Sequence, residues 1–307
     1  MPETTGLFES VPRSQFQNPG KSRGLIDVIR WRYLLRLLVR TGVTTRYRNS
    51  VLGWTWSYVR PAAQFLVFWV VLGLFLDLER GIPNYAVYLF SGIVVINLFS
   101  EAFKNATTSI VGNASLVRKV FLPRQLFAVS AVIVAFVHFL PQVALLLFVV
   151  ILMGWFAHVN VVAIAAILVA VVLVVVFALG LGLFFGALNV RYRDSENIVE
   201  LLLLLATWAS PVLYFWTMVQ TAVEKLGWPD WVTSLYLLNP VTQAVQLFHL
   251  AFWRPVTTAG GAERLAALEV PSGMIGYVIG ALLIGVITLI VGQAVFRRLE
   301  GRFAQDL

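Results

Sequence analysis

The sequence predicts an all-α integral membrane protein with six transmembrane helices. Three observations carry that expectation. Of 307 residues, 59% are hydrophobic and only 12% charged, where a soluble domain carries roughly 25% charged residues. The apolar residues gather into six runs, most of them close to or above the ~20 residues a helix needs to cross the hydrocarbon core. Finally, the 23 Lys and Arg fall almost entirely on one side of these runs when the chain is threaded back and forth, as the positive-inside rule requires.

Residues 1–23 are polar and contain Pro2, Pro12, Pro19 and Gly20. They are expected to form a disordered cytoplasmic tail, since they hold no apolar core that would make a signal peptide. Residues 24–61 read as an amphipathic interface helix and an elbow. Val28, Trp31, Leu35 and Leu38 share one helical face, and Arg32, Arg36 and Arg40 form a basic stripe away from it. That pattern suits a helix lying on an anionic leaflet. The elbow, Thr44 to Pro61, carries Arg46, Arg48 and Arg60 together with Trp54, Trp56 and Tyr58. Fixed cations and amphipathic rings belong at a headgroup boundary.

Residues 62–296 are expected to hold the six spans: Ala62–Leu78, Ala86–Phe103, Leu126–Trp155, Val161–Leu188, Ile198–Val219 and Ile275–Phe296. The third and fourth exceed the usual length, so they should tilt or protrude. The fifth contains Pro211, which predicts a kink or a partial span that turns back. With the N-terminus inside, 19 of the 23 Lys and Arg are cytoplasmic. Both termini then lie inside, and residues 297–307 form a cytoplasmic tail. The long outer connection, Gln220 to Met274, is expected to hold short re-entrant or interfacial helices, because structureless loops of that length are uncommon.

Several chemistries are excluded. There is no cysteine, hence no disulfide, thiolate metal site or cysteine nucleophile. The pair Gly20–Lys21 lacks the upstream glycine of a nucleotide phosphate loop. No clustered carboxylates offer a metal site; Asp77 and Glu79 fit a solvated turn. The net charge of +8 follows membrane topology and does not call for nucleic acid. Of the three histidines, His138 lies within the third span and reads best as an interhelical hydrogen-bond partner. Glu101, near the inner end of the second span, should face protein or a wet cavity. Gly182 and Gly186, and also Gly276 and Gly280, have the spacing that lets helices approach closely.

Two further groups of residues invite function. In the cytoplasmic loop Lys104 to Gln125, Leu116, Val117, Val120 and Phe121 form one helical face beside Arg118 and Lys119. Such a helix can dock in a partner's groove or rest on the inner leaflet. Phe65, Phe68 and Trp69 in the first span, with Trp208, Tyr214 and Phe215 in the fifth, offer aromatic faces on which sugar C–H faces can stack. Lipid contact or core packing explains the same rings equally well.

Three stretches carry a family resemblance: Arg46-Tyr47-Arg48-Asn49-Ser50-Val51-Leu52-Gly53 with Trp56 and Pro61; Leu116 through Arg124; and Asn189-Val190-Arg191-Tyr192-Arg193-Asp194 followed by Pro211-Val212-Leu213-Tyr214. With Leu238-Asn239-Pro240, and in this order, they resemble the permease subunits of type-2 ABC exporters for polysaccharides, the O-antigen (Wzm-type) and teichoic-acid group. The resemblance implies a bacterial plasma-membrane subunit, present in two copies, that works with two copies of a separate ATPase. ATP and magnesium would bind that partner, with no cofactor or catalytic site in this chain. Asn113, Leu116, Val117, Arg118, Lys119, Phe121, Arg191 and Arg193 would meet the ATPase. The cargo would be a glycan of the O-antigen, teichoic acid or cell-wall galactan type on polyprenyl diphosphate. Arg46, Arg48, Arg118, Lys119 and Arg124 are candidates for meeting the diphosphate; positive-inside anchoring is the plainer reading of each. The sequence departs from the family pattern in its longer N-terminal tail and in Gln246 and His249 after Asn239-Pro240. A permease for a small lipophilic drug or lipid shares the layout. A membrane glycosyl- or prenyl-transferase would need the acidic cluster that is missing.

Overall fold

The computed structural model describes residues 24–46, 53–68, 70–71, 75, 82–119, 122–259 and 270–307. Trp69, Phe121 and residues 47–52 of the elbow, Arg48 among them, lie outside the described residues, as do the side chains of Arg46, Trp54 and Phe68. The described secondary structure is helical throughout: α1 (Leu25–Arg30), α2 (Arg32–Arg46), α3 (Trp56–Phe68), α4 (Tyr85–Gly112), α5 (Ala114–Lys119), α6 (Gln125–Leu152), α7 (Val161–Arg191), α8 (Ser195–Trp208), α9 (Trp216–Lys225), α10 (Trp231–Leu238), α11 (Pro240–Phe248), α12 (Arg254–Ala259), α13 (Met274–Leu299) and α14 (Phe303–Asp306). Among the described residues four helices are long and apolar enough to cross a membrane: α4, α6, α7 and α13 with its following turn.

Close backbone approach fixes how these four stand together. A methyl group on Gly180 of α7 would come within 2.6 Å of the Leu289 amide nitrogen in α13, and one on Gly292 would collide with the Gly180 carbonyl. On the other side of α7, a methyl on Gly182 would overlap the Ala106 side chain of α4, and Gly186 faces the Ala106 carbonyl. So α7 lies between α4 and α13 with no side chain to hold them apart, the small-residue packing expected where no hydrophobic force separates helix from lipid. The pair Gly182/Gly186 therefore packs within one bundle. Of the other pair, Gly280 faces Leu238, whereas nothing lies within 4 Å of Gly276.

α4 is the buried axis, covered by α6, α7, α8 and α11. Phe99 of α4 stacks on Phe177 of α7, ring centroids 5.7 Å apart. α8 runs antiparallel to α4: Lys104 meets Glu200 in its first half, and Val212, in the turn beyond its last residue, meets Gly92. Arg118, Lys119, Arg191, Arg193, Arg297, Arg298 and Arg302 are all exposed. They project where α4, α7 and α13 finish and α6 begins, the basic end of the bundle.

The observed elements adjust the expected ones. α4 continues through Asn105 to Gly112, so the first part of the predicted cytoplasmic loop is helix. The predicted interface helix is two helices joined at Trp31, where the Trp31 amide turns back to Asp27. Val28 is buried and Leu35 and Leu38 are half-buried, while Trp31 is exposed along with Arg32, Arg36 and Arg40. α2 rests on α6 with Gly42 against Val134. The fifth span is broken, the alternative that Pro211 allowed. α8 ends at Trp208, and the turn after it is tied to α4 by the Tyr88 hydroxyl, which lies 3.1 Å from the Pro211 carbonyl and 2.8 Å from that of Tyr214.

The connection from α9 to α12 is built of short helices. Asn239 caps α11, accepting from the Val241 amide at 3.0 Å, with Pro240 at the first helical position, where its missing N–H costs nothing. Every residue of α11 is buried. A π-helical turn, His249–Trp253, follows it. Trp253 donates to the Pro83 carbonyl at 2.7 Å, Trp155 donates to that of Ala251 at 2.8 Å, and the His249 ring stacks on Tyr88 at 3.7 Å. Gln246 and His249, the departures from the family pattern, thus belong to a packed layer closing the end opposite the cations.

The glycine contacts make a sharp prediction. Gly292→Val should separate α7 from α13 and destabilise the fold by roughly 1–3 kcal/mol, the usual cost of overpacking. Gly276→Ala, facing open space, should be tolerated. Thermal unfolding of detergent-solubilised protein, followed by fluorescence-detected size exclusion, checks the pair.

Candidate functional site

Two features stand out: the basic end, and a polar cleft beside the buried axis. At the basic end α5 is short and held at both sides. Asn113 closes α4, donating its side-chain amide to the Ser109 carbonyl at 2.7 Å. Val117 is buried, while Leu116, Arg118 and Lys119 on the same helix are exposed. α5 therefore presents its cations outward while one side chain fastens it to the bundle. Arg191 and Arg193 project from the C-terminal end of α7, with the Arg191 guanidinium 5.3 Å from the Tyr192 ring. The following Asn189–Glu196 hydrogen bond, 2.8 Å, fixes the turn into α8.

Arg124 differs from its neighbours. Its guanidinium lies 5.5 Å from the centre of the Phe303 ring. Burial lowers its pKa from the ordinary value, with Glu300 opposing that shift. Glu300 is itself buried and accepts from the Gln125 amide at 2.8 Å. Phe303, 1% exposed, packs edge-on against Phe296, and α14 reaches both α5 and α7. The segment after α13 is thus a clasp across the basic end, and Arg124 directs its charge into that clasp. Of the five cations considered for a diphosphate, Arg118 and Lys119 are exposed and Arg124 is engaged in the clasp, while Arg48 and the Arg46 side chain lie outside the described residues.

The cleft, of about 370 Å³, lies among α3, α4, α6 and α8. Its floor is two interhelical pairs joining α4 to α6. Glu101 Oε1 and His138 Nδ1 are 2.8 Å apart, the separation of a charge-assisted hydrogen bond. Asn97 donates to Gln142 at 3.3 Å. Lys104 and Glu200 close one side at 2.7 Å. Trp56, Arg60 and Gln64 of α3 supply the facing wall. The expectations for His138 and Glu101 hold, and each is the other's partner. Sequence reading did not bring in Asn97, Gln142, Gln64 and Lys104. The signal was present as polar residues at helical spacing inside apolar spans: Asn97, Glu101, Lys104 and Asn105 on one helix, His138 and Gln142 on another.

Among the described residues the aromatic candidates do not gather, Trp69 and the Phe68 side chain lying outside them. Phe65 is half-buried against Phe90, centroids 5.1 Å apart. Phe215 is buried and packs edge-on against Tyr88 at 5.2 Å. Trp208 is 61% exposed, and Tyr214 donates to its carbonyl at 2.7 Å. Leu201, Leu204 and Leu205 of the same helix are also exposed, so α8 carries an open apolar face ending in Trp208.

A family model described as ABC-2 type transporter matches residues 33–253. The chain is 26% identical over 280 residues to an O-antigen export system permease protein RfbA of Klebsiella pneumoniae, covering 89% of this chain and 95% of that one. A protein of the same name from Myxococcus xanthus is 27% identical over 246 residues, 80% of this chain and 89% of that one. The polysialic acid transport protein KpsM of Escherichia coli is 20% identical over 259 residues, covering 84% and 90%.

The clasp yields the test for this region. Gln125→Leu leaves the buried Glu300 carboxylate without its amide donor and should cost roughly 1–3 kcal/mol of stability. Glu300→Gln, which can still pair with Gln125, should cost less. Melting temperatures of the two purified variants against wild type decide it.

Proposed function

We propose that this chain, which belongs to the ABC-2 type transporter family, is the membrane subunit of a bacterial exporter that moves a lipid-linked polysaccharide outward. A separate ATPase drives it, and a second copy of the chain completes the conduit. The observation that carries the reading is α5 at the basic end: one buried anchor, Val117, and two exposed cations, Arg118 and Lys119, on a six-residue helix between two long helices. Push on such an element and the motion passes directly into α4 and α6. Names borne by the relatives, O-antigen export and polysialic acid transport, supply the cargo class.

The basic end is then cytoplasmic, by the positive-inside rule. Arg118, Lys119, Arg191 and Arg193 meet the ATPase, and the buried α11–α12 layer faces outward. A polyprenyl diphosphate arriving from the cytoplasmic leaflet finds Arg118 and Lys119 at the mouth. α8 offers its open apolar face, with Trp208 at the far end, to the second copy or to the cargo. The cleft favours this reading over a small lipophilic cargo: a carboxylate, an imidazole and amides at membrane depth are costly to maintain and offer nothing to an apolar molecule.

Two experiments test it. Depletion of the chain should leave the glycan inside the cell and strip it from the surface; an unchanged surface polysaccharide would sink the reading. The double substitution Arg118→Ala/Lys119→Ala should leave the protein in the membrane and lower both export and cargo-coupled ATP hydrolysis by about tenfold, equivalent to ~1.4 kcal/mol. Export and hydrolysis at wild-type rates would remove these residues from the coupling path.

A further inference from the structure

We infer that the polar cleft among α3, α4, α6 and α8 is a binding site for uncharged sugar units of the cargo, held within a single copy of the chain. The inference rests on the export reading and gives it a recognition site. The cleft lies along the stretch of α4 from Asn97 to Asn105, and Asn105 is about 10 Å of helix from the end at Gly112, at 1.5 Å per residue. Cargo entering from the basic end reaches it before the buried layer at the far end.

The chemistry of the lining selects the ligand. Arg60 and Lys104 bring two positive charges. Glu101 lines the same space, and Glu200 is bound to Lys104, so two carboxylates answer them. A phosphate or an acidic sugar would meet as much repulsion as attraction here. Neutral hydroxyl groups would meet donors and acceptors together: carboxylates accept, amides do both, and a guanidinium donates. Gln64, Ser100 and Asn105 line the cleft and keep their side chains out of hydrogen bonds within the protein. Unspent polar groups facing an opening in an apolar bundle are costly unless water or a ligand answers them. The Trp56 ring, with the Arg60 guanidinium 5.8 Å from its centre, adds an amphipathic wall of the kind that accepts a sugar's C–H edge.

The floor is built to keep this lining in place. The Glu101–His138 pair and the Asn97–Gln142 pair each bridge α4 and α6, and the Gln142 amide also donates to the His138 carbonyl at 3.3 Å. Both partners come from long buried helices, so the groups facing the ligand are preorganised and little order has to be imposed on binding. α3 and α8, which cover the cleft, expose Leu66 and Val67, and Leu201, Leu204 and Leu205, on their outer sides, and the paired floor does not depend on those contacts.

The test uses the chain purified with its accompanying ATPase in lipid nanodiscs. The probe is the polysaccharide that the cells themselves export, freed of lipid by mild acid, and the readout is saturation-transfer NMR on its ring protons. Wild type should transfer saturation, and millimolar inorganic pyrophosphate should leave the signal unchanged. Asn97→Leu/Gln142→Leu should reduce it at least fivefold. Gln64→Leu, at an exposed position on α3 that tolerates an apolar side chain, should reduce it about twofold while retaining assembly by size exclusion. Equal transfer in wild type and both variants, or displacement of the glycan by pyrophosphate, overturns the sugar assignment. The parent reading fails separately: if depletion of the chain leaves surface polysaccharide intact, both are lost. If depletion removes it, yet the variants bind and export as wild type does, only the cleft assignment is lost.

Discussion

The whole arrangement depends on backbone meeting backbone along α7. In a bilayer, apolar side chains gain little by leaving lipid for protein, so close packing and polar pairing must hold helices together. Gly180, Gly182 and Gly186 remove three side chains from two faces of one helix. α4 and α13 settle into the gaps, and their axial positions are set to within a side-chain width. Everything else is registered from there: α6 pairs with the level of α4 that carries Asn97 and Glu101, and α8 is tied to α4 at Lys104. The clasp under the basic end reaches α5 and α7 together because α13 is already in place.

The two ends of the bundle solve different problems. The end opposite the cations is filled by indole, phenol and imidazole groups, of which Tyr88, Trp155, Trp253 and His249 bond to backbone carbonyls. Tyr88 both ties down the turn after α8 and stacks on His249, and Thr242 donates to the Ala209 carbonyl of the same turn. The layer is tightly packed around these bonds, although the buried Gln246 side-chain amide finds no hydrogen-bond partner within it. The basic end also has buried anchors, among them Val117, Gln125, Glu300 and Phe303, but its surface is set by cations that face out.

Much of this was legible in the sequence, and what was missed follows a pattern. α4, α6, α7 and α13 were readable because unbroken apolar length is a local property. Charge sidedness was readable because it needs only counting. The fifth span was harder, since residues after Trp208 stay apolar whether the backbone is helix or turn, and Pro211 was the single local sign of the break. Glu101 and His138 were recognised as groups needing partners, yet their mutual pairing depends on the rotation of two helices about their axes. The clasp was invisible because Gln125 and Glu300 are 175 residues apart. Phe215 and Trp208 show the same limit: one is buried and the other open, a distinction set by neighbours that no pattern within the fifth span encodes.

The clasp also bears on how the protein is made. Gln125 opens α6, the second of the four long helices, while Glu300 follows α13, the last of them. During synthesis the foot of α6 enters the membrane with its partner still unmade. Arg124 and Gln125 must wait through the insertion of α6, α7, α8 and the entire buried layer before Glu300 and Phe303 emerge to meet them. The face that carries Arg118 and Lys119 is therefore the last part of the bundle to be finished. A nascent or truncated chain would present that face loosely until the last long helix is home.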